Sequence, residues 1–191
     1  MQYTWPTELS EDDMLEMLDM MNAVAVRERT LGFFEPLDRG KGLNLLRAFD
    51  ADLRRGTVQL LAVRNDEGRM VGMVTLARAP LPARRHVVEM RRCVVHPDYR
   101  GQFLIEGWEH ALRKAVEMGC AVVTLEVRDD GPVALWRRIG FNEYGRLPDY
   151  ARNDGNPVTG FFMYARCREL LEHFERTGSW VHEAPAVAVA R

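Results

Sequence analysis

Lysine is almost absent from this chain. Of 26 Lys and Arg residues only Lys41 and Lys114 are lysines. Against 28 Asp and Glu the net charge is −2, so no global basic field exists to hold nucleic acid or an anionic membrane. The arginine excess fits either the codon bias of a GC-rich genome or guanidinium forks recruited for phosphates. Cysteine is also scarce. Cys93, Cys120 and Cys167 are odd in number and lack CxxC spacing, which argues against a disulfide frame or zinc site and for reduced thiols in the cytoplasm. The five histidines are scattered with no HExxH, so no metal is expected. No run of 18 apolar residues occurs, so no membrane-spanning helix is expected. The opening MQYTWPTELSEDD lacks the basic-then-apolar order of a secretion leader. Repeats and low-complexity tracts are missing as well.

What is present suffices for one core. The chain has 191 residues, 47% of them hydrophobic, which is one domain at roughly 100–200 residues each. Ser10 and Asp13 form a capping box that opens a helix. Met14, Leu18, Met21 and Ala25 then repeat at helical spacing, a methionine stripe typical of core packing. Residues 30–42 read as a loop, in which Leu31, Phe33 and Phe34 are either a buried turn or one wall of a substrate cleft. Leu43, Leu46, Phe49 and Leu53 mark a second helix, stopped by Gly56. Strands over 58–64 and 69–77 flank the turn Asn65-Asp66-Glu67-Gly68 and form a hairpin. A third strand covers 86–95. A helix over 104–118, a buried strand over 121–127 and a short helix over 132–138 follow. Residues 140–145 are a strand, 147–157 a polar loop, 158–166 a last strand and 169–174 a helix. The tail from Thr177 is loose. This order predicts an α+β fold with one mixed, mostly antiparallel sheet of about six or seven strands flanked by helices. The main domain spans 1–168, and 169–191 form the C-terminal helix and tail.

The chemistry concentrates between Val87 and Phe141. A strand feeds a loop, Arg100-Gly101-Gln102, and a helix starts at once. Backbone N–H groups at such a helix start form an anion site, and Arg100 adds a charged fork. The run Glu89-Met90-Arg91-Arg92-Cys93-Val94-Val95-His96-Pro97-Asp98-Tyr99-Arg100-Gly101 resembles the hallmark strand and loop of the GNAT superfamily of acyl-CoA N-acyltransferases. Leu135-Trp136-Arg137-Arg138-Ile139-Gly140-Phe141 resembles its second motif, Leu-Tyr-x-x-Leu-Gly-Phe. The spacing agrees, the element order agrees over roughly residues 5–168, and the ending GFNEYGRLPDYARNDGNPVTGFFMYARC is similar to small-molecule members of the tabtoxin-resistance type.

That resemblance implies the GNAT fold and transfer of an acyl group, acetyl above all, from acetyl-CoA or another acyl-CoA to the amine of a small molecule. It implies that the backbone of Cys93, Val94 and Val95 pairs with the pantetheine arm, and that Arg100, Gly101, Gln102, Phe103, Leu104 and Ile105 hold the pyrophosphate. Glu89 falls where many members carry a general base, and a structural ion pair with Arg91, Arg92 or Arg128 is the open alternative. The loop at Phe33 and Phe34, the second helix and the loop at Tyr150 form the acceptor wall. A homodimer is left open. Two departures stand out. Phe103 and Ile105 occupy positions where small residues are usual. Trp136 replaces the tyrosine that often protonates the departing thiolate; it reads as core or as a wall of the cofactor cleft, which leaves the proton to Tyr144, Tyr99 or water. These departures leave a second reading: a degenerate GNAT-fold protein with altered acyl-CoA chemistry, or one that binds a ligand or partner without transfer. Cys93 reads as packing, His96 as surface, and Asp129-Asp130 as a solvated turn.

Overall fold

The structure, a computed structural model, describes residues 1–28, 31, 33, 35–129 and 131–180. Seven strands form one sheet in the order β1-β2-β3-β4-β5-β7-β6. The strands are β1 Gln2–Thr4, β2 Val58–Arg64, β3 Met70–Arg78, β4 Val87–Val95, β5 Val122–Arg128, β6 Asn142–Asn153 and β7 Asn156–Arg166. The helices are α1 Glu11–Glu28, α2 Arg39–Arg54, α3 Leu104–Glu117, α4 Val133–Arg138 and α5 Cys167–Thr177. Among the described residues only β4 and β5 run parallel, which requires a long crossover, and α3 supplies it. The α+β reading with a mixed, mostly antiparallel sheet holds.

The sheet is covered on both faces, and β2 displays why. Leu61 and Val63 join a core with Val88, Leu112, Trp136 and Leu170. Their neighbours Leu60 and Ala62 join Met14, Met21, Leu46 and Phe49 on the other side. Alternation in a strand sends successive side chains to opposite faces, so α1 and α2 lie on one face and α3, α4 and α5 on the other. The α1–α2 core takes no residue from β5, β6 or β7. No helix among the described residues is long and apolar enough to cross a membrane.

Local sequence chemistry sets several boundaries. The Ser10–Asp13 box is present: the Ser10 N–H donates to Asp13 Oδ2 at 3.0 Å, and the Asp13 N–H to Ser10 Oγ at 3.1 Å. The methionine stripe is core, with Met14, Leu18, Met21 and Ala25 all buried.

Other boundaries differ from the sequence reading. Residues 39–42 are helical, not loop, because Asp38 caps α2 by accepting from the Lys41 N–H at 2.9 Å. Gly42 is there for contact: a Cβ on it would fall 2.4 Å from Leu18 Cδ1. Residues 147–153 belong to β6 and not to a polar loop. Asp154 and Gly155, at φ 49° and 82°, make the tight turn of a β6–β7 hairpin. The polar composition there is that of a sheet edge. Strand β1 escaped notice because three residues carry no periodicity. Residues 177–180 are not loose. Trp180 is buried, stacks on Phe174 at 4.3 Å and meets Trp108 edge-on at 6.3 Å. The remainder of the tail lies outside the described residues.

Trp180→Ala is therefore expected to destabilise the protein by about 3–5 kcal/mol, the range for deleting a packed aromatic. Urea unfolding measures it, and a loss below about 0.5 kcal/mol would mean that this segment is not packed.

Candidate active site

Strands β4 and β5 pair only at Val87–Val122, Val88–Val123 and Glu89–Thr124. Beyond Glu89 they part. β4 stays with β3 as far as Val95–Gly72, while β5 stays with β7 as far as Arg128–Gly160. The β5-facing edge of β4 from Met90 onward thus has no strand partner among the described residues. Between Arg91–Thr75 and Val94–Met73, β4 carries one residue more than β3. Arg92 sits in this bulge at φ 47°. A narrow apolar slot of about 10 Å³ opens between β4, α3 and α4, walled by Cys93, Val94, Leu104, Trp108 and Trp136. That is room for about one water.

The slot leads to the start of α3. Gly101 takes φ 74°, a left-handed conformation suited to glycine. The helix begins on Phe103, which makes no side-chain cap. Its first internal bond runs from the Gly107 N–H to the Phe103 carbonyl at 2.8 Å, so the N–H groups of Leu104, Ile105 and Glu106 precede any intrahelical partner. Arg100 is exposed beside them. This end fits an anionic diphosphate: donors are present, and Phe103 does not obstruct them. The Phe103 ring turns inward and is buried against β3, its Cε2 2.5 Å from where a Cβ on Gly72 would lie. Ile105 is exposed. The bulky residues at the loop are thus accommodated, one by a glycine across the core and the other by solvent.

On the face left open by α1 and α2, several polar groups converge. Arg91 Nη2 donates to Glu89 Oε2 at 2.5 Å. Glu89 is part-exposed, and the hydrogen bond raises the pKa of Arg91. On β5, Glu126 accepts from the Tyr150 hydroxyl at 2.6 Å. That bond first, and burial second, push the tyrosine up to about 12. Tyr150 lies where Gly160 leaves space: a Cβ there would sit 2.4 Å from Tyr150 Cγ. Tyr144 is exposed on β6 and packs against Phe162 and Tyr164. Desolvation, then the charges of Glu126 and Glu89, raise its pKa.

The sequence-derived residues fall into place unevenly. Glu89, Tyr144 and Tyr150 share the open face. Cys93, Val94 and Trp136 line the slot, and Arg100 to Ile105 surround the α3 start. Cys93 is exposed and also lines the slot, and desolvation pushes its thiol up to about 11. Trp136 is buried among Trp108 and Phe141. Phe33 packs part-buried against the α1–α2 core, and Phe34 lies outside the described residues. His96 is not simply surface, since its Nδ1 accepts from the Asp98 N–H at 3.3 Å and caps the short turn before the loop. Asp129 accepts from the Thr159 N–H at 3.2 Å, and Asp130 lies outside the described residues. Tyr99 is held by Asn65 Nδ2 at 2.9 Å. Sequence reasoning missed Glu126 and named Arg92 only as a candidate ion-pair partner of Glu89. Glu126 follows Val123 and Leu125 in an alternating strand, and that alternation was the signal for its face.

Residues 23–141 match the model of the acetyltransferase (GNAT) family. No curated relative matches by sequence. Among solved structures, the ribosomal-protein-alanine N-acetyltransferase of Brucella melitensis shares 19% identity at a TM-score of 0.71, over 87% of this chain and 99% of that one. The phosphinothricin acetyltransferase of Sinorhizobium meliloti, in complex with AcCoA, shares 15% at 0.71 over 87% and 89%. The spermidine N-acetyltransferase of Vibrio cholerae, with CoA and spermine, shares 19% at 0.71 over 89% and 98%. At these identities the likeness establishes the fold.

The Phe103–Gly72 contact predicts a specific pattern of coupling. Gly72→Ala should cost about 1–3 kcal/mol by overpacking. Adding Phe103→Ala should leave a double variant that is more stable than the two single losses predict, by at least about 0.5 kcal/mol. Strict additivity in a denaturation cycle would mean that the ring does not rest on Gly72.

Proposed function

The chain belongs to the acetyltransferase (GNAT) family, and on that premise we propose that it is an acyl-CoA-dependent N-acetyltransferase acting on the amine of a small molecule in the cytoplasm. The parting of the sheet at Glu89, with an uncapped helix start at its far end, carries this reading. Acetyl-CoA supplies a thioester whose C–S bond breaks as the acceptor nitrogen forms the new C–N bond, the sulfur leaving as thiolate.

The chain's own residues have distinct tasks in this reading. The N–H groups of residues 104–106 and the Arg100 guanidinium hold the pyrophosphate. Gly101 and Gln102 shape the turn that leads to them. The unpaired β4 edge at Cys93, Val94 and Val95 offers backbone partners to the amides of the pantetheine arm. Because the slot holds about one water, the arm runs along its mouth, with Trp136 behind it. A backbone N–H on the same edge polarises the thioester carbonyl.

Glu89 takes the proton of the acceptor ammonium, directly or through a water. Arg91 holds Oε2, so Oε1 is the oxygen presented to the substrate. The ion pair and the base are compatible roles of one carboxylate. Tyr144 keeps its phenolic proton at neutral pH and donates it to the departing thiolate. That task is light, since a thiol of ordinary pKa, about 8.5, leaves readily. Trp136 offers only an indole N–H and no acidic proton. Cys93 stays protonated near neutrality because of its desolvation, which favours direct attack by the amine over transfer through an acyl-cysteine. Phe33 and Tyr150 stand on the acceptor side.

Acetyl-CoA should raise Tm, since a ligand at 100 times its Kd adds about 2.7 kcal/mol, and should change tryptophan fluorescence through Trp136. No shift with any acyl-CoA would remove the transferase reading. A shift without CoA release across an amine panel would favour binding without transfer. Glu89→Gln should retain the thermal shift while losing roughly 10²–10⁴-fold in kcat. Wild-type turnover would rule Glu89 out as the base. Arg100→Ala should raise the KM for acetyl-CoA and leave kcat nearly unchanged.

A further inference from the structure

Arg92 takes no part in the steps above. It occupies the extra position of the β4 bulge at φ 47°, where a non-glycine residue is uncommon. Its neighbour Arg91 is engaged by Glu89. The Arg92 guanidinium lies over the Phe49 ring, 5.8 Å from its centroid, and among the described residues it has no hydrogen-bonding or ion-pairing partner. Asp52, whose field it feels, is instead tied to Arg55 at 2.6 Å and to the Thr57 hydroxyl at 3.3 Å. Desolvation and the charge of Arg91 both disfavour the Arg92 cation, and a guanidinium does not escape by losing its proton. The Arg92 side chain is exposed, so its guanidinium fork is open to an incoming anion such as a carboxylate.

Beside it lies a cavity of about 180 Å³, walled mainly by Met17, Met21, Leu46, Phe49 and Met73, with Asp52 and Arg92 as its charged lining. A cavity of about 150 Å³ accommodates benzene. Methionine walls adapt to the shape of what they hold. The cavity sits between α1, α2 and the bulge, on the same sheet face as Glu89. Arg92 is three residue steps along the strand from Glu89, roughly 10 Å at most, which an arginine side chain and a small substrate bridge together.

We propose that this cavity receives the side chain of the acceptor and that Arg92 binds its carboxylate, so that the acceptor is an amino acid with an apolar side chain of about ring size. The inference rests on the acetyl-transfer reading in one respect: it directs the amine of that amino acid to Glu89. The carboxylate neutralises Arg92, the apolar body fills the methionine-walled space, and the ammonium faces the carboxylates of Glu89 and Glu126. A polyamine lacks the oxyanion and meets two arginines.

The test uses matched probes with the full chain: L-phenylalanine against 2-phenylethylamine, L-methionine against 3-(methylthio)propylamine, and spermidine. Thermal shift and acetyl transfer are read for each. The amino acids should exceed their decarboxylated partners at least tenfold in kcat/KM, through KM, and should alone raise Tm. Arg92→Asn suits the left-handed position and should abolish this preference while keeping the acetyl-CoA shift. Should that variant fold poorly, Leu45→Glu, at the exposed rim of the cavity, places a carboxylate beside Arg92 and should cut amino-acid binding about tenfold at unchanged Tm. Acetylation of amines without preference for the carboxylate, or a preference that survives both variants, overturns the assignment and leaves the transferase reading intact. Amino-acid shifts that need Arg92 but come with no acetyl transfer support the pocket and overturn the transferase. No shift and no turnover with any amino acid overturns the assignment.

Discussion

The structure turns on the divergence of β4 from β5 at Glu89. Each strand keeps one partner, β3 or β7, and gives up the other. A buried strand edge with unmatched N–H and C=O groups is costly, so the edge exposed here has to meet water or a ligand. The bulge that follows shifts the β3–β4 register by one residue where β4 bends away from β5. That extra residue sends Arg91 and Arg92 to one face, beside Glu89. The base candidate and the anion-binding arginine are thus consequences of one local irregularity in an otherwise regular sheet.

The helix start beyond the slot shows how a site tolerates bulky residues. Backbone N–H groups bind an anion whatever side chains accompany them, provided those side chains point elsewhere. Phe103 points into the core, into space that Gly72 leaves, and Ile105 points to water. Glycine at such loops is one solution to a steric problem, and a compensating glycine on a neighbouring strand is another. Similar pairing of a glycine with a large side chain seats Tyr150 over Gly160 and Leu18 over Gly42.

Electrostatics on the open face are mostly closed in pairs. Glu89 engages Arg91, Glu126 engages Tyr150, and Asp52 engages Arg55. The hydrogen bond to Glu126 and the burial of Tyr150 keep that phenol protonated, as desolvation and two nearby carboxylates do for Tyr144. Arg92 has no hydrogen-bonding or ion-pairing partner among the described residues and lies over Phe49, which leaves its guanidinium for the acceptor carboxylate in the proposed role.

The sequence by itself determined the element order from Ser10 to Gly145, because caps, alternation and Gly or Pro breaks act over a few residues. The chain also announced its anion loop and the motif carrying Glu89 in contiguous residues. It misjudged 39–42, 147–153 and 177–180, where a glycine packs against Leu18, an edge strand is polar, and a tryptophan finds its partner on α3. Those outcomes depend on contacts far apart in the chain. Only the tertiary structure decided that Phe103 faces inward, that Trp136 belongs to the core, that Glu126 joins Glu89, and that Arg92 stands over an apolar cavity. Each is a matter of which side of a strand or helix meets which neighbour, and a one-residue bulge is enough to reverse it.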